Sequence, residues 1–578
     1  MNWKRYDFLR RNASPLEVDL IENYARGAIS RRDFIKRGAI LGLGMTTMGS
    51  VIAACGDSTD PATTAASSGT TAPSAAPVPG GDMRVAIQSG DANTGLDPLN
   101  MVDLGTYSVT SSAFEYLVGL APDGNIGNNG LATDWSPNAD GTAWTFNLRP
   151  NVTWHDGTPF TSADVAATLD RMVEVGAGIA GVFSEGAVET PDDLTAIVNL
   201  DKPNGNLPVL VSIYNPQSLI TPVSFVSGST LDAAPVGTGP WIYESHDPTT
   251  FTTAFRANDN YWAGRPNLDT LTLVGFGSEG AKVSAMQARE VQLIQSFGVI
   301  DGTSLLNDSN FTVLRPPSAN HRQLWFNTQL PEEGPFTDAR VRRAFGYMID
   351  RQQMVDVLLE GFGSIANDHP VHHTLPFFDS AATPQRTKDI DMAKQLLVDA
   401  GYEGLSATIQ AGDIQISPDM GAIIEQNAAE AGVTLSVNVT ANSDFYGEYW
   451  CAGASYGTQP ETSGPGRPCG ASAAIGIVDY GHRPTPDVYF GRALETDGDW
   501  NSSNYASPDF DRLFAEYQAA VDVAGQKAAV GQIQQLLHED APAIYPFWFD
   551  YLSGHDSSVS GVQVTALGHV QLHKASIA

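Results

Sequence analysis

Residues 113–172 read AFEYLVGLAPDGNIGNNGLATDWSPNADGTAWTFNLRPNVTWHDGTPFTSADVAATLDRM, and this stretch decides the fold. Pro122-Asp123-Gly124-Asn125 and Ala139-Asp140-Gly141 each set Asp-Gly between apolar runs, a short hairpin signal. Between them, Ala143-Trp144-Thr145-Phe146-Asn147-Leu148-Arg149 alternates apolar and polar residues, the period of a half-buried strand. After His155-Asp156-Gly157 the period changes. Val165, Leu169, Met172 and Val173 recur at helical spacing, and Ser162 is placed to cap that helix. Taken one by one, these residues build a subdomain rather than touch a ligand.

Outward from this stretch, size and composition set limits. A chain of 578 residues is too long for one core, so two or three domains are expected. A hydrophobic content of 42% with 10 tryptophans supplies material for large cores. Asp and Glu number 65 against 32 Lys and Arg, a formal charge of −33. That balance excludes a nucleic-acid partner, because no basic stripe exists to neutralise phosphates. The acidity speaks otherwise to solubility or a high-salt habitat, with a slight preference for cationic solutes.

Residues 1–54 read as an address. Ser30-Arg31-Arg32-Asp33-Phe34-Ile35-Lys36 matches the twin-arginine export pattern, and an uncharged run of 17 residues, Gly38 to Ala54, follows. The run is Gly-rich and short for a membrane span. It ends in Ile52-Ala53-Ala54-Cys55, which resembles the lipobox of bacterial lipoproteins, where cleavage precedes the cysteine and its thiol carries diacylglycerol. Cys55 is therefore the expected lipidation site; an uncut N-terminal anchor is the alternative. Either way the body faces outward, tethered to the membrane. Residues 55–81 are rich in Ser, Thr, Ala, Pro and Gly, a flexible tether with too little apolar surface to order itself.

The quoted stretch resembles the signature of the extracellular solute-binding proteins of family 5, the dipeptide, oligopeptide and nickel receptors of ABC importers. The matching elements are Glu115-Tyr116-Leu117-Val118-Gly119-Leu120, Asp123-Gly124-Asn125, Leu131-Ala132-Thr133-Asp134-Trp135 and Trp154-His155-Asp156-Gly157-Thr158-Pro159-Phe160-Thr161. Further matches are Gly95-Leu96-Asp97-Pro98-Leu99, Pro235-Val236-Gly237-Thr238-Gly239-Pro240-Trp241, and Asn258-Asp259-Asn260-Tyr261-Trp262-Ala263-Gly264-Arg265-Pro266. Gln323 to Thr328 and Phe336 to Ala344 resemble the family's entry into a second lobe. The resemblance spans residues 82–578, patchily between 410 and 480.

Downstream the residues alternate helix and strand, which implies an α/β layer. Thr337 or Asp338 caps one helix, Asp350-Arg351 starts the next, and Gly401 ends a third after Ala400. Strands are expected at Leu405 to Gln410 and Val433 to Val439, and late helices at Asp509 to Ala520 and Gln526 to His538. An aromatic run, Tyr545-Pro546-Phe547-Trp548-Phe549, follows.

Several constellations bear on chemistry. Cys451 and Cys469 are the cysteines left after Cys55, and an even pair outside the cytosol points to a disulfide. Closing its 17-residue loop would stabilise by about 3 kcal/mol on the chain-entropy model. Gly453-Ala454-Ser455-Tyr456-Gly457 matches a nucleophile elbow in letters but lacks the strand and helix that motif needs. His369, His372 and His373 share one short loop and are weak metal candidates, since Pro370 keeps them off a common helical face. Tyr446, Trp450 and Tyr480 can line a cleft or pack a core. Gly237 and Thr238 are candidates for a backbone approach to ligand.

In peptide receptors of the family an acidic residue pairs with the ligand's amine. An ungapped match of the Pro486-Asp487-Val488-Tyr489-Phe490 end puts His482, beside Arg483, at that position; a slip would bring Asp479 there instead. With His482 in place a free peptide N-terminus loses its partner, and another solute becomes plausible.

These readings imply an α/β protein of the periplasmic-binding type, two α/β lobes joined by a hinge with a third subdomain inserted in the first. The boundaries expected are 1–54 signal peptide, 55–81 tether, 82–318 first lobe with the subdomain at about 98–200, 319–542 second lobe, and 543–578 return to the first. The function implied is capture of a peptide or related small solute between lobes and delivery to ABC permease subunits driven by cytoplasmic ATPases. The body is expected to be an extracytoplasmic, lipid-anchored monomer without cofactor or catalytic step. A receptor for nickel or another metal chelate is one alternative; a secreted hydrolase using paired carboxylates is another.

Overall fold

The computed structural model describes residues 79–578, apart from 91–95, 102, 122–124, 176–178, 180, 227–235, 317, 330–333, 415, 442–443 and 451–472. Cys55, Cys451, Cys469 and the serine motif at 453–457 lie outside the described residues.

Strand Asp82–Gln88 founds a seven-stranded sheet in which Met83 and Ala86 are fully buried. It pairs in parallel with Thr270–Phe276 and with Leu293–Ile294. Thr252–Ala257 and Trp241–Asp247 extend one side, while Ser553–Asp556 and Phe311–Leu314 close the other. The second sheet has six strands in the order Gly363–Ile365, Ala543–Phe549, Asn320–Phe326, Ile475–Tyr480, Ser406–Gly412, Thr434–Thr440.

The alternation seen around residue 145 is a strand, Ala143–Leu148, within a small antiparallel sheet with Ala132–Pro137, Thr195–Asn199 and Val188–Asp192. Helix Ser162–Val175 lies against it, and Val165, Leu169 and Met172 are fully buried, as their spacing predicts. Each such side chain is worth about 1.5–3 kcal/mol of burial. Trp144, Phe146 and Leu169 share one apolar core with Val85, Ile87 and Leu273, so this subdomain is part of the first lobe. Ser162 does not cap its helix. Its hydroxyl donates to the Asp192 carbonyl, and the Asp164 carboxylate instead accepts the Thr161 N–H at the helix start. An acidic side chain in the first turn does that task with the helix dipole in its favour.

The second sheet has two distinct faces. Leu324, Phe326, Ile477, Ile544 and Phe547 pack under helices Ala339–Met348, Arg351–Leu358 and Ser417–Glu430. Asp338 and Asp350 cap the first two of these, each accepting a backbone N–H of the first turn. Trp325, Val478, Tyr480, Tyr545 and Trp548 point the other way into a separate aromatic core.

Among the described residues the chain crosses between the sheets twice, after Leu314 and after Phe549. Arg315 and Asp550, one on each crossing, form an ion pair, and Arg315 also donates to the Gly361 carbonyl at 3.0 Å. The aromatic run Ala543–Phe549 belongs to the second sheet, and the first sheet resumes only at Ser553. The return is thus later than residue 543, because an apolar strand buried on both faces reads alike in either sheet. Among the described residues no helix is long and apolar enough to cross a membrane.

Candidate functional site

The crossings fix which sheet edges meet. One crossing leaves Phe311–Leu314 at its carboxyl end and enters Asn320–Phe326 at its amino end; the other leaves Ala543–Phe549 and enters Ser553–Asp556 likewise. Strand pairing then carries the carboxyl ends of Asp82–Gln88, Thr270–Phe276 and Leu293–Ile294 to the crossing edge of the first sheet. In the second sheet the same edge holds the carboxyl ends of Ile475–Tyr480, Ser406–Gly412 and Thr434–Thr440. Open α/β sheets bind ligands outside the carboxyl ends of their strands.

On the second lobe this edge carries a wall of aromatic and imidazole rings. His321 is fully buried, with ring centroids 5.5 Å from Tyr480, 5.2 Å from Tyr489, 5.1 Å from Tyr545 and 5.0 Å from Trp548. His372 stands 5.2 Å from Trp548, edge to face. His482 lies just past the strand end, after Gly481, and Tyr214 of the first lobe meets its ring at 5.8 Å.

Backbone contacts set the imidazole tautomers. His321 Nδ1 lies 2.9 Å from the Ala319 carbonyl, so it carries the proton and Nε2 is an acceptor. The Ala319 N–H donates to His482 Nδ1 at 3.0 Å, and the Thr374 N–H donates to His372 Nδ1 at 3.3 Å, which puts the proton of both rings on Nε2. Burial pushes His321 down to about 4 and His482 to about 3, the latter helped by Arg483. His372 also falls to about 3, through burial and the neighbouring His373, His482 and His321. The wall is therefore neutral at physiological pH. Its rings pack on one another, and the Nε2–H groups of His372 and His482 are its donors for uncharged polar groups.

The structure brings most of the expected residues to this region. Tyr480 and His482 are in the wall; the Arg483 guanidinium curls back onto the His482 carbonyl at 2.8 Å. Tyr446 and Trp450 lie at its margin on the turn Phe445–Trp450, their rings 5.2 Å apart, and Trp500 bridges Trp450 to Tyr480. Asp479 does not share the face of Tyr480. Strand alternation turns it to the side of Arg322, its cross-strand partner, whose guanidinium is 3.8 Å away, and it accepts the Tyr446 hydroxyl.

Gly237 and Thr238 lie elsewhere, inside the first lobe. The Gly237 N–H donates to His155 Nδ1, a Cβ there would stand 1.8 Å from the Ala113 carbonyl oxygen, and buried Thr238 neighbours Glu115. The loop histidines separate as well. His369 is buried against Gln534, 3.2 Å from its amide nitrogen, while His372 and His373 face the wall side with rings 4.2 Å apart. Among the described residues no group of three or more His, Cys, Asp or Glu could hold a metal ion. Sequence reading missed His321, Tyr214 and the role of Trp548. The aromatic density of Tyr545 to Phe549 was the one available signal; nothing local marks His321.

Comparison with known proteins bears on the family and the fold. Residues 128–460 match the family model described as bacterial extracellular solute-binding proteins, family 5 middle. The glutathione-binding protein GsiB of Pectobacterium atrosepticum is 24% identical over 485 residues, 83% of this chain and 91% of the relative. Heme-binding protein A of Haemophilus influenzae is 24% identical over 486 residues, 78% of this chain and 85% of the relative. Among solved structures, the ABC transporter substrate-binding protein CtaP of Listeria monocytogenes superposes with a TM-score of 0.73 at 20% identity, covering 86% of this chain and 99% of that one. The chain belongs to the bacterial extracellular solute-binding proteins of family 5.

Proposed function

We propose that this protein is the substrate-binding component of an ABC importer, taking a peptide or related small solute between its lobes and handing it to a membrane permease. The observation that carries this reading is the neutral ring wall at the crossing edge, met from the first lobe by Tyr214. A solute touching both lobes has its full contacts only when they close, so it shifts the open–closed balance by differential affinity. The heme-binding relative supports a small, partly planar solute. With Asp479 engaged by Tyr446 and Arg322 and a neutral imidazole at His482, solutes without a free α-ammonium fit best. The body acts outside the cytoplasm as a lipid-anchored monomer and leaves its solute unchanged.

A metal chelate is the second reading, favoured by the Nε2–H donors of His372 and His482, which suit a chelate's ligand shell rather than a bare ion. A thermal-shift panel of short free and N-acetylated peptides, glutathione, heme and Ni(II) with and without free histidine tests both. Stoichiometric stabilisation by a compound recovered intact supports capture. No shift across the panel, or consumption of the compound, refutes it.

A further inference from the structure

Hydrogen bonds between the lobes gather on one loop of the first. The Trp144 indole N–H donates to the Asn204 carbonyl at 2.9 Å, and the Asn206 N–H donates to Asn204 Oδ1 at 2.8 Å. Leu207, fully buried in the first core, anchors the loop from behind. The loop projects Gly205 and Asn206 onto three second-lobe segments. The Gly205 N–H donates to the Gln518 carbonyl at 2.8 Å. Asn206 Nδ2 donates to Asp487 Oδ1 at 2.9 Å, while Asn206 Oδ1 accepts from Gln526 Nε2 at 2.9 Å. Tyr517 holds the other Asp487 oxygen at 3.0 Å.

Three features show a fitted contact rather than a grazing one. Asn206 is 3% exposed and Gln526 4%, so water does not compete for these bonds. One carboxamide gives its donor to Asp487 and its acceptor to Gln526, a complementarity that fixes its orientation. A Cβ on Gly205 would stand 1.9 Å from the Ala520 carbonyl oxygen, so only glycine lets the two backbones approach. A second turn of the same subdomain, at Gly141, abuts Val521.

We propose that Gly205 and Asn206 form a latch onto Asp487, Gln518 and Gln526 that closes the lobes on each other before any solute arrives. The inference rests on the reading that solute is captured between the lobes, and it names what sets the closed population. A receptor already partly closed loses less affinity to conformational cost, since apparent affinity scales with the competent fraction. Asp487 and Asn206 thus tune affinity without touching solute.

Small-angle scattering of the solute-free full protein, wild type against Asn206→Ala, tests this. The variant should show a larger radius of gyration, and its affinity for whichever panel compound stabilises the wild type should fall about tenfold, the equivalent of one or two net hydrogen bonds. Asp487→Ala should reproduce both effects. Asp487→Asn, which keeps the acceptor facing Asn206, should stay close to wild type. Asn206→Asp sets two carboxylates together on an otherwise intact loop and should open the protein even if Asn206→Ala folds poorly. Superimposable scattering for wild type, Asn206→Ala and Asn206→Asp overturns the latch. Because scattering needs no solute, a wild type that binds nothing refutes capture and leaves the latch to be judged separately.

Discussion

Glu115 offers a quantitative test of how the signature stretch holds together. Its carboxylate is 8% exposed, with Oε1 accepting the Tyr261 hydroxyl at 2.8 Å and the Trp262 indole N–H at 3.0 Å. The Arg149 guanidinium stacks 3.9 Å above the Trp262 ring but bonds to backbone carbonyls, not to Glu115. Burial pushes the carboxyl from 4.5 up to about 7, against the pull of Trp262, Tyr261, Thr238 and Arg149. The native protein therefore keeps a proton that the unfolded chain releases, and the stability tied to it, complete below pH 4.5, is lost as pH rises through 7. At 1.36 kcal/mol per pH unit, that gap makes the ionised carboxylate at pH 8 about 3 kcal/mol costlier to bury than the neutral acid. Glu115→Gln keeps an acceptor for Tyr261 and Trp262 and never ionises. It should come within about 1 kcal/mol of wild type near pH 5 and exceed it by up to about 3 kcal/mol at pH 8. Urea unfolding followed by tryptophan fluorescence at both pH values measures this, and the difference between the two proteins cancels every other titration. An equal difference at pH 5 and pH 8, or a less stable variant at pH 8, refutes the reasoning.

Other outcomes follow from named contacts. Asp368 is fully buried between Arg351 at 2.7 Å and Arg386 at 2.5 Å; Asp368→Asn strands two buried cations and should cost about 3–5 kcal/mol in chemical denaturation. His321, His372 and His482, held near 4, 3 and 3, should show flat imidazole NMR shifts from pH 5.5 to 8, whereas a midpoint near 6.5 in any of them contradicts the buried wall. The unfolded histidines take up protons below pH 6.5 that these rings refuse, so their contribution to stability falls as the solution is acidified. His482→Asp keeps an acceptor for the Ala319 N–H and introduces a carboxylate; calorimetry should then show a free dipeptide gaining about tenfold over its N-acetyl form. No gain would mean that position 482 does not face solute.

Much of this protein is legible one segment at a time. The strand at Ala143–Leu148, the helix at Ser162–Val175 and the caps at Asp338 and Asp350 follow from periodicity and from side chains reaching two or three residues along the chain. The helix Ser162–Val175 also shows the limit of such reading, since Ser162 is the better cap by type and yet serves the Asp192 carbonyl, 30 residues away. At the site the shortfall is larger. Neither the burial of His369 and His372 nor the opposite orientations of Asp479 and Tyr480 can be read from the loop or strand alone.

By itself, then, the sequence determined the element types, the α/β class, the acidic surface and the family signature, because each depends on composition or on periods of two and 3.6 residues. Tertiary structure alone decided which faces meet. It set Asn320–Phe326 between Ile475–Tyr480 and Ala543–Phe549, and that order gathers His321, Tyr480 and Trp548 from three strands far apart along the chain. Pairing across such distances is chosen by the burial of whole sheet faces, a sum over the fold that no local stretch records.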